Sequence, residues 1–104
     1  MATIYYIYIL YSSIADKYYV GYSDDPHRRL TEHNTMFINA VSSEYRPWAL
    51  KAIFQCGPIE ADAIKMEHFI KKQKSRAFIE KLIDTGFMSP DLLSPLIRVP
   101  HTGQ

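Results

Sequence analysis

The chain opens on apolar and β-branched positions with no helical spacing. Residues Thr3 to Ser12, centred on Ile4-Tyr5-Tyr6-Ile7-Tyr8-Ile9-Leu10-Tyr11, predict a strand. A period of two places Tyr6, Tyr8 and Leu10 on one face and Tyr5, Ile7, Ile9 and Tyr11 on the other. Ser12 to Lys17 is a short polar connection, and Tyr18 to Ser23 predict a second strand. Strands so close in sequence form an antiparallel hairpin, with Tyr19 and Gly21 on one face. Ser23-Asp24-Asp25-Pro26 then starts a helix: an aspartate accepts from the free N–H groups, and Pro26 fits the first helical position. This helix is expected to run to about His33, with Leu30 as core anchor and Arg29 and His33 four apart on one face.

Asn34 to Arg46 has no clear period and reads as a loop. Trp48 to Gln55 alternates weakly and predicts a third strand, with Pro47 at its start, where a missing N–H is tolerated. Gly57-Pro58 breaks the chain, and Ile59 to Lys74 predict the strongest helix, with Ala63, Ile64, Met66, Phe69 and Ile70 on its apolar side. Ser75 caps a further helix to about Asp84, with Phe78, Ile79, Leu82 and Ile83 inward and Gly86 ending it. Residues 88–104 read as a proline-containing tail whose Leu92, Leu93 and Leu96 pack on the domain or on a partner and whose last residues are loose. The expected fold is α+β: a small three-stranded antiparallel sheet flanked by helices, formed by residues 1–87.

Composition narrows the function. A length of 104 residues, 47% of them hydrophobic, suits one domain. A lone cysteine, Cys56, excludes an internal disulfide, and the sequence shows neither a signal peptide nor an apolar run of membrane-spanning length. The expected compartment is the cytoplasm, with no membrane partner. A net charge of +1 is low for a dedicated DNA binder, so contact with nucleic acid must come from local clustering. One basic cluster is present, Lys71, Lys72, Lys74 and Arg76 with Lys81, and it equally fits a solvated helix face. Of the eight tyrosines, six lie between Tyr5 and Tyr19, a bias that asks for a cause.

Four kinds of side chain in this order suggest chemistry. Tyr8 and Tyr19, on adjacent strands, bring two phenols near one point. A phenol is a poor base in water, with a pKa of about 10, and a nearby cation makes its phenolate easier to reach. Such a group can orient or deprotonate water. Arg29 offers a fork for phosphate, and His33, one turn on, a donor to the same phosphate or to a leaving oxygen. Glu67, a single carboxylate in a largely apolar stretch, suits a hard cation completed by water and phosphate oxygens. Each also fits a plainer role: strand tyrosines pack, Arg29 pairs with Glu32 or Asp25, His33 caps a helix, and Glu67 pairs with Lys71.

Taken together the blocks resemble a known family. Tyr6-Ile7-Tyr8 and Tyr19-Val20-Gly21 look like the two halves of the GIY-YIG signature, and the stretch from Tyr19 through Arg29 to His33-Asn34 follows its pattern. Arg46-Pro47-Trp48-Ala49-Leu50 resembles the next block, and Glu60-Ala61, Glu67, Ile70-Lys71-Lys72 and Lys74-Ser75-Arg76 the last, in the small stand-alone, excinuclease C subunit-like form. The resemblance spans about residues 4–84. It implies an endonuclease that hydrolyses phosphodiester bonds in DNA, including structured or damaged DNA, with one divalent ion, Mg²⁺ or Mn²⁺. It makes Tyr8, Tyr19, Arg29, His33 and Glu67 the catalytic set: Glu67 holds the metal, Arg29 clamps the phosphate, and one tyrosine, Tyr8 by preference, activates water. It implies a role in DNA repair, with RNA left open as a substrate, and a protein partner or a homodimer as further expectations. The alternative is a catalytically weak nucleic-acid-binding or interaction module on the same fold. Three departures stand out: Tyr6 replaces the glycine of the first half, Tyr22 stands where some relatives carry lysine, and Glu44 lies in a loop often basic in relatives.

Overall fold

The computed structural model describes residues 3–35, 46–85 and 97–99. Strands β1 (Tyr5–Ser12) and β2 (Lys17–Ser23) form the expected hairpin, and helix α1 (Pro26–Thr35) follows. Strand β3 (Trp48–Gly57), helices α2 (Glu60–Lys72) and α3 (Arg76–Thr85) and a short strand β4 (Ile97–Val99) complete the order. The sheet is antiparallel with strand order β2-β1-β3-β4. The arrangement is the α+β fold expected, with one strand added. β4 comes from the stretch read as tail, and three residues pairing with Ile53, Phe54 and Gln55 are too short to leave a periodic signal. Glu44, Gly86, Leu92, Leu93 and Leu96 lie outside the described residues.

The two faces of β1 bury two separate clusters, as its period of two requires. Ile7, Ile9, Val20, Ala52 and Phe54 pack with Met66, Ile70 and Leu82 from α2 and α3. Tyr8, Leu10, Leu50 and Ile53 pack with Leu30 of α1 and with Trp48, and Tyr6, Tyr19 and Val99 border them. A sheet covered on both faces fixes register, because a one-residue slip would exchange the two sets. Along β3 the alternation fails at Lys51. There the pairing with β1 jumps from Ile9↔Ala52 to Leu10↔Leu50, a bulge that leaves Lys51 exposed and puts Leu50 and Ile53 on the same face.

Local bonds fix the ends of the helices. Ser23 Oγ accepts from the Asp25 N–H at 2.9 Å, and Asp25 Oδ1 accepts from the Arg28 N–H at 3.1 Å, closing the start of α1. α1 continues to Thr35, two residues past the expected end. Ser75 Oγ accepts from the Phe78 N–H at 3.1 Å and caps α3 as expected. The β1–β2 turn is clasped to α3: the Arg76 guanidinium donates to Asp16 and to Glu80 Oε2, and the Tyr18 hydroxyl donates to the same Glu80 oxygen. Among the described residues no helix is long and apolar enough to cross a membrane.

Candidate active site

The hairpin register sets Tyr8 directly opposite Gly21. The Tyr8 ring lies across that glycine and is 1% exposed. It runs nearly parallel to Tyr19, with centroids 6.3 Å apart and planes at 26°. Bare backbone at residue 21 is therefore what lets two phenols share one face of the sheet.

His33, on α1, closes this group. Its ring stands edge-on to Tyr19 at 4.6 Å and to Trp48 at 6.3 Å, and its Nε2 lies 3.4 Å from the Tyr8 hydroxyl. The neighbouring Asn34 fixes the helix in place. Its amide donates to the Trp48 carbonyl at 3.0 Å, and its carbonyl accepts from the Trp48 N–H at 2.6 Å. One side chain thus pairs with β3 as another strand would. Arg46 adds a bond from its Nε to the His33 carbonyl at 2.7 Å.

Arg29 reaches the same place. Its positive charge acts on the Tyr8 phenol, and its Nη1 donates to Glu32 Oε1 at 2.7 Å. Glu32 also draws Arg28, 3.6 Å away, so this carboxylate steadies two arginines. The Tyr8 hydroxyl and His33 Nε2 share one hydrogen bond whose direction follows the imidazole tautomer. His33 Nδ1 is the one buried side-chain polar atom among the described residues that has no partner.

Burial governs the acidities here. It pushes Tyr8 up to about 12; Arg29 opposes this, and the charges of Tyr19 and Glu67 add to it. Tyr19 is raised by burial, with Arg29 opposing and Glu67 assisting. Burial, joined by the charge of Arg29, holds His33 down to about 4. The imidazole is neutral at physiological pH, an acceptor and a single donor rather than a cation.

Glu67 lies on the buried face of α2 with Ala63, Met66 and Ile70. Its Oε1 meets two nitrogens at ion-pair distance, Lys71 Nζ at 3.6 Å and His68 Nε2 at 3.8 Å. Among the described residues no three His, Cys, Asp or Glu side chains gather as a metal cage. Magnesium seldom needs such a cage: one or two carboxylates suffice when water and substrate phosphate supply the remaining oxygens. A carboxylate with only these long contacts keeps acceptor capacity for a cation, so the residues present fit that mode of binding.

The structure brings Tyr8, Tyr19, Arg29 and His33 together, with Glu67 close enough for its charge to act on both phenols. The plainer pairs Arg29–Glu32 and Glu67–Lys71 also exist, within the cluster rather than instead of it. Among the basic residues, Lys71 stands over Tyr19, 5.6 Å from its ring centroid. Lys71 and Lys74 line a groove of about 340 Å³ with Tyr19, Val20 and Ile70. Lys72 is exposed. Arg76 is instead engaged by Asp16 and Glu80 in the hairpin clasp. Tyr6 borders the Tyr8 cluster and lines a separate hollow of about 220 Å³ with Asp24, Asp25 and His27. Tyr22 donates to Glu60 at 3.0 Å.

Sequence reasoning missed Asn34 and Trp48 as supports of this cluster. Asn34 read as the first loop residue, and only its place directly after His33 hinted at more.

The model of the GIY-YIG catalytic domain matches residues 4–81, three quarters of the chain. No curated protein matches it. The matched span takes in both tyrosine strands, α1 with Arg29 and His33, and α2 with Glu67, and the chain belongs to the GIY-YIG family of nuclease domains.

Proposed function

We propose that the protein is an endonuclease that hydrolyses phosphodiester bonds in DNA with Tyr8, Tyr19, Arg29, His33 and Glu67 as its working set. The convergence of two phenols, a guanidinium and a neutral imidazole on one face of the sheet, beside a carboxylate, carries this reading. A divalent ion, Mg²⁺ or Mn²⁺, held by Glu67 would supply positive charge against the leaving oxygen. Arg29 donates to the non-bridging oxygens of the scissile phosphate as charge builds on them. Glu32 keeps the guanidinium in place for this.

Between the two phenols, exposure favours Tyr19 as the one that, once its own proton has passed to solvent, takes the proton from attacking water as a phenolate, which reverses the preference for Tyr8 drawn from the sequence. Tyr8 is sealed at 1% exposure, its hydroxyl is paired with His33 Nε2, and burial pushes its pKa up to about 12. Tyr19 is half-buried and opens onto the groove lined by Lys71 and Lys74. Tyr8 and His33 then act as supports, packing against Tyr19.

The test is cleavage of labelled single-strand, duplex, flap and splayed-arm DNA with Mg²⁺ or Mn²⁺, by wild type and by Glu67→Ala and Arg29→Ala variants. Metal-dependent cutting by wild type that is lost in both variants establishes the reading. A folded wild type that binds these DNAs and cuts none of them supports a binding module on the same fold.

A further inference from the structure

Glu67 poses an electrostatic problem that its neighbours answer. A carboxylate at 9% residue exposure, on a helix face that also buries Met66 and Ile70, needs a compensating charge. No backbone or side-chain donor within hydrogen-bonding distance supplies one among the described residues. The nearest cation is the Lys71 ammonium, 3.6 Å from Oε1 and one helical turn away. The same ammonium lies 5.6 Å from the Tyr19 ring centroid and borders the groove beside it. Lys71 is 48% exposed, so it can leave Glu67 without crossing the core.

We propose that Lys71 is the resident counter-ion of Glu67, and that its ammonium and a divalent cation compete for Oε1. The inference rests on the reading of Glu67 as the metal-holding carboxylate. A hard cation bound to oxygen at 2.0–2.1 Å repels an ammonium left at the ion-pair position. Lys71 then swings away along the groove, where the Tyr19 ring face is its next favourable neighbour. In the metal-free protein Lys71 neutralises Glu67. In the loaded protein it stands at the edge of the site as a free positive charge toward the phosphate backbone. The side chain thus weakens metal binding in the absence of substrate.

Direct Mn²⁺ binding, read from the electron paramagnetic resonance signal of the free ion, tests this without any cleavage. The variants are Glu67→Gln, Lys71→Met, Lys71→Arg and Lys72→Met, each checked for folding by circular dichroism. Lys71→Met is expected to bind Mn²⁺ about five- to tenfold more tightly than wild type, the scale of a unit charge removed from about 4 Å in a watery setting. Lys71→Arg, which keeps the charge, should stay within about twofold of wild type on the same scale. Lys72→Met removes an equal charge from an exposed neighbour that makes no ion pair with Glu67, and should also change binding less than about twofold. Equal tightening by Lys71→Met and Lys72→Met overturns the proposal in favour of a net-charge effect. Unchanged or weaker binding by Lys71→Met, with binding still lost in Glu67→Gln, overturns it as well and leaves Glu67 as the ligand. Retained Mn²⁺ binding in Glu67→Gln instead overturns the metal-holding role of Glu67, and the counter-ion role with it.

Discussion

Tyr8 and Gly21 are cross-strand partners in closer contact than any side chain at residue 21 would permit. A Cβ at 21 would stand 2.5 Å from the Tyr8 hydroxyl oxygen, 2.6 Å from its Cζ and 3.1 Å from Tyr19 Cε1. The Tyr8 ring is 1% exposed, in one buried cluster with Leu10, Leu30 and Ile53. Gly21→Ala therefore forces the ring to move. Overpacking of this kind costs about 1–3 kcal/mol, more than the roughly 0.5–1 kcal/mol that alanine otherwise gains over glycine within a strand. The urea midpoint should fall. Cleavage should fall further, on the order of 10²-fold, because the Tyr8 ring packs against Tyr19 and pairs with His33, and a displacement near 1 Å is enough for such a loss. A variant with wild-type midpoint and rate would show that the ring is not held by this contact.

Arg29 should separate chemistry from stability. Its ion pair with Glu32 is partly exposed, so Arg29→Ala should change the unfolding free energy by less than about 1 kcal/mol. Its proposed place at the phosphate predicts a single-turnover rate about 10²–10³-fold lower with Mg²⁺. Arg29→Lys should recover little, because an ammonium lacks the planar fork that holds Glu32 and meets a phosphate at once. Full rescue by lysine would reduce Arg29 to a point charge.

How far the sequence could be read follows from which interactions are local. β1, β2 and the start of α1 are written in short-range patterns, an alternating strand, a tight connection and an Asp-Pro helix start, and the structure reproduces them within two residues. β3 gave a weak signal because the bulge at Lys51 shifts the alternation halfway along it. β4 gave none, since it exists only through pairing with β3. The cluster behaves likewise. Tyr8, Tyr19, Arg29, His33 and Glu67 could be named from motif order. That Asn34 holds α1 to Trp48 and that Arg76 is drawn to the hairpin turn are both consequences of tertiary contact. No periodicity records them.

His33 predicts acid sensitivity in a defined window. An unfolded histidine takes up its proton near pH 6.5, whereas the folded one resists until about pH 4. Between these values the unfolded state binds more protons, so stability is fully present above pH 6.5 and declines as the pH drops toward 4. The loss attributable to this one residue is on the order of 3 kcal/mol. Asp16, held below the usual carboxylate range by Arg76 and Tyr11, loses its contribution only at lower pH and leaves the window clear. Urea unfolding at intervals across this range should show the decline in wild type. A His33→Phe variant should show a flatter profile whatever its absolute stability, and an equal slope in both proteins would assign the effect elsewhere.

Lys74 and Arg76 lie two residues apart, yet they should respond oppositely in DNA binding. Lys74 is exposed on the groove beside Tyr19, while the Arg76 guanidinium is already matched by Asp16 and Glu80. Each phosphate neutralised by a side chain adds about 0.9 to the slope of log affinity against log salt on duplex DNA. Lys74→Met should therefore lower that slope by close to one unit when the binding of a labelled duplex is followed by anisotropy from about 50 to 200 mM salt. Arg76→Met should leave the slope unchanged and lower the unfolding midpoint instead, because it opens the clasp between the β1–β2 turn and α3. A fall in slope for Arg76→Met would mean that DNA draws the guanidinium away from Asp16 and Glu80. The acidic partners would then compete with DNA, and an Asp16→Asn variant would bind the duplex more tightly than wild type.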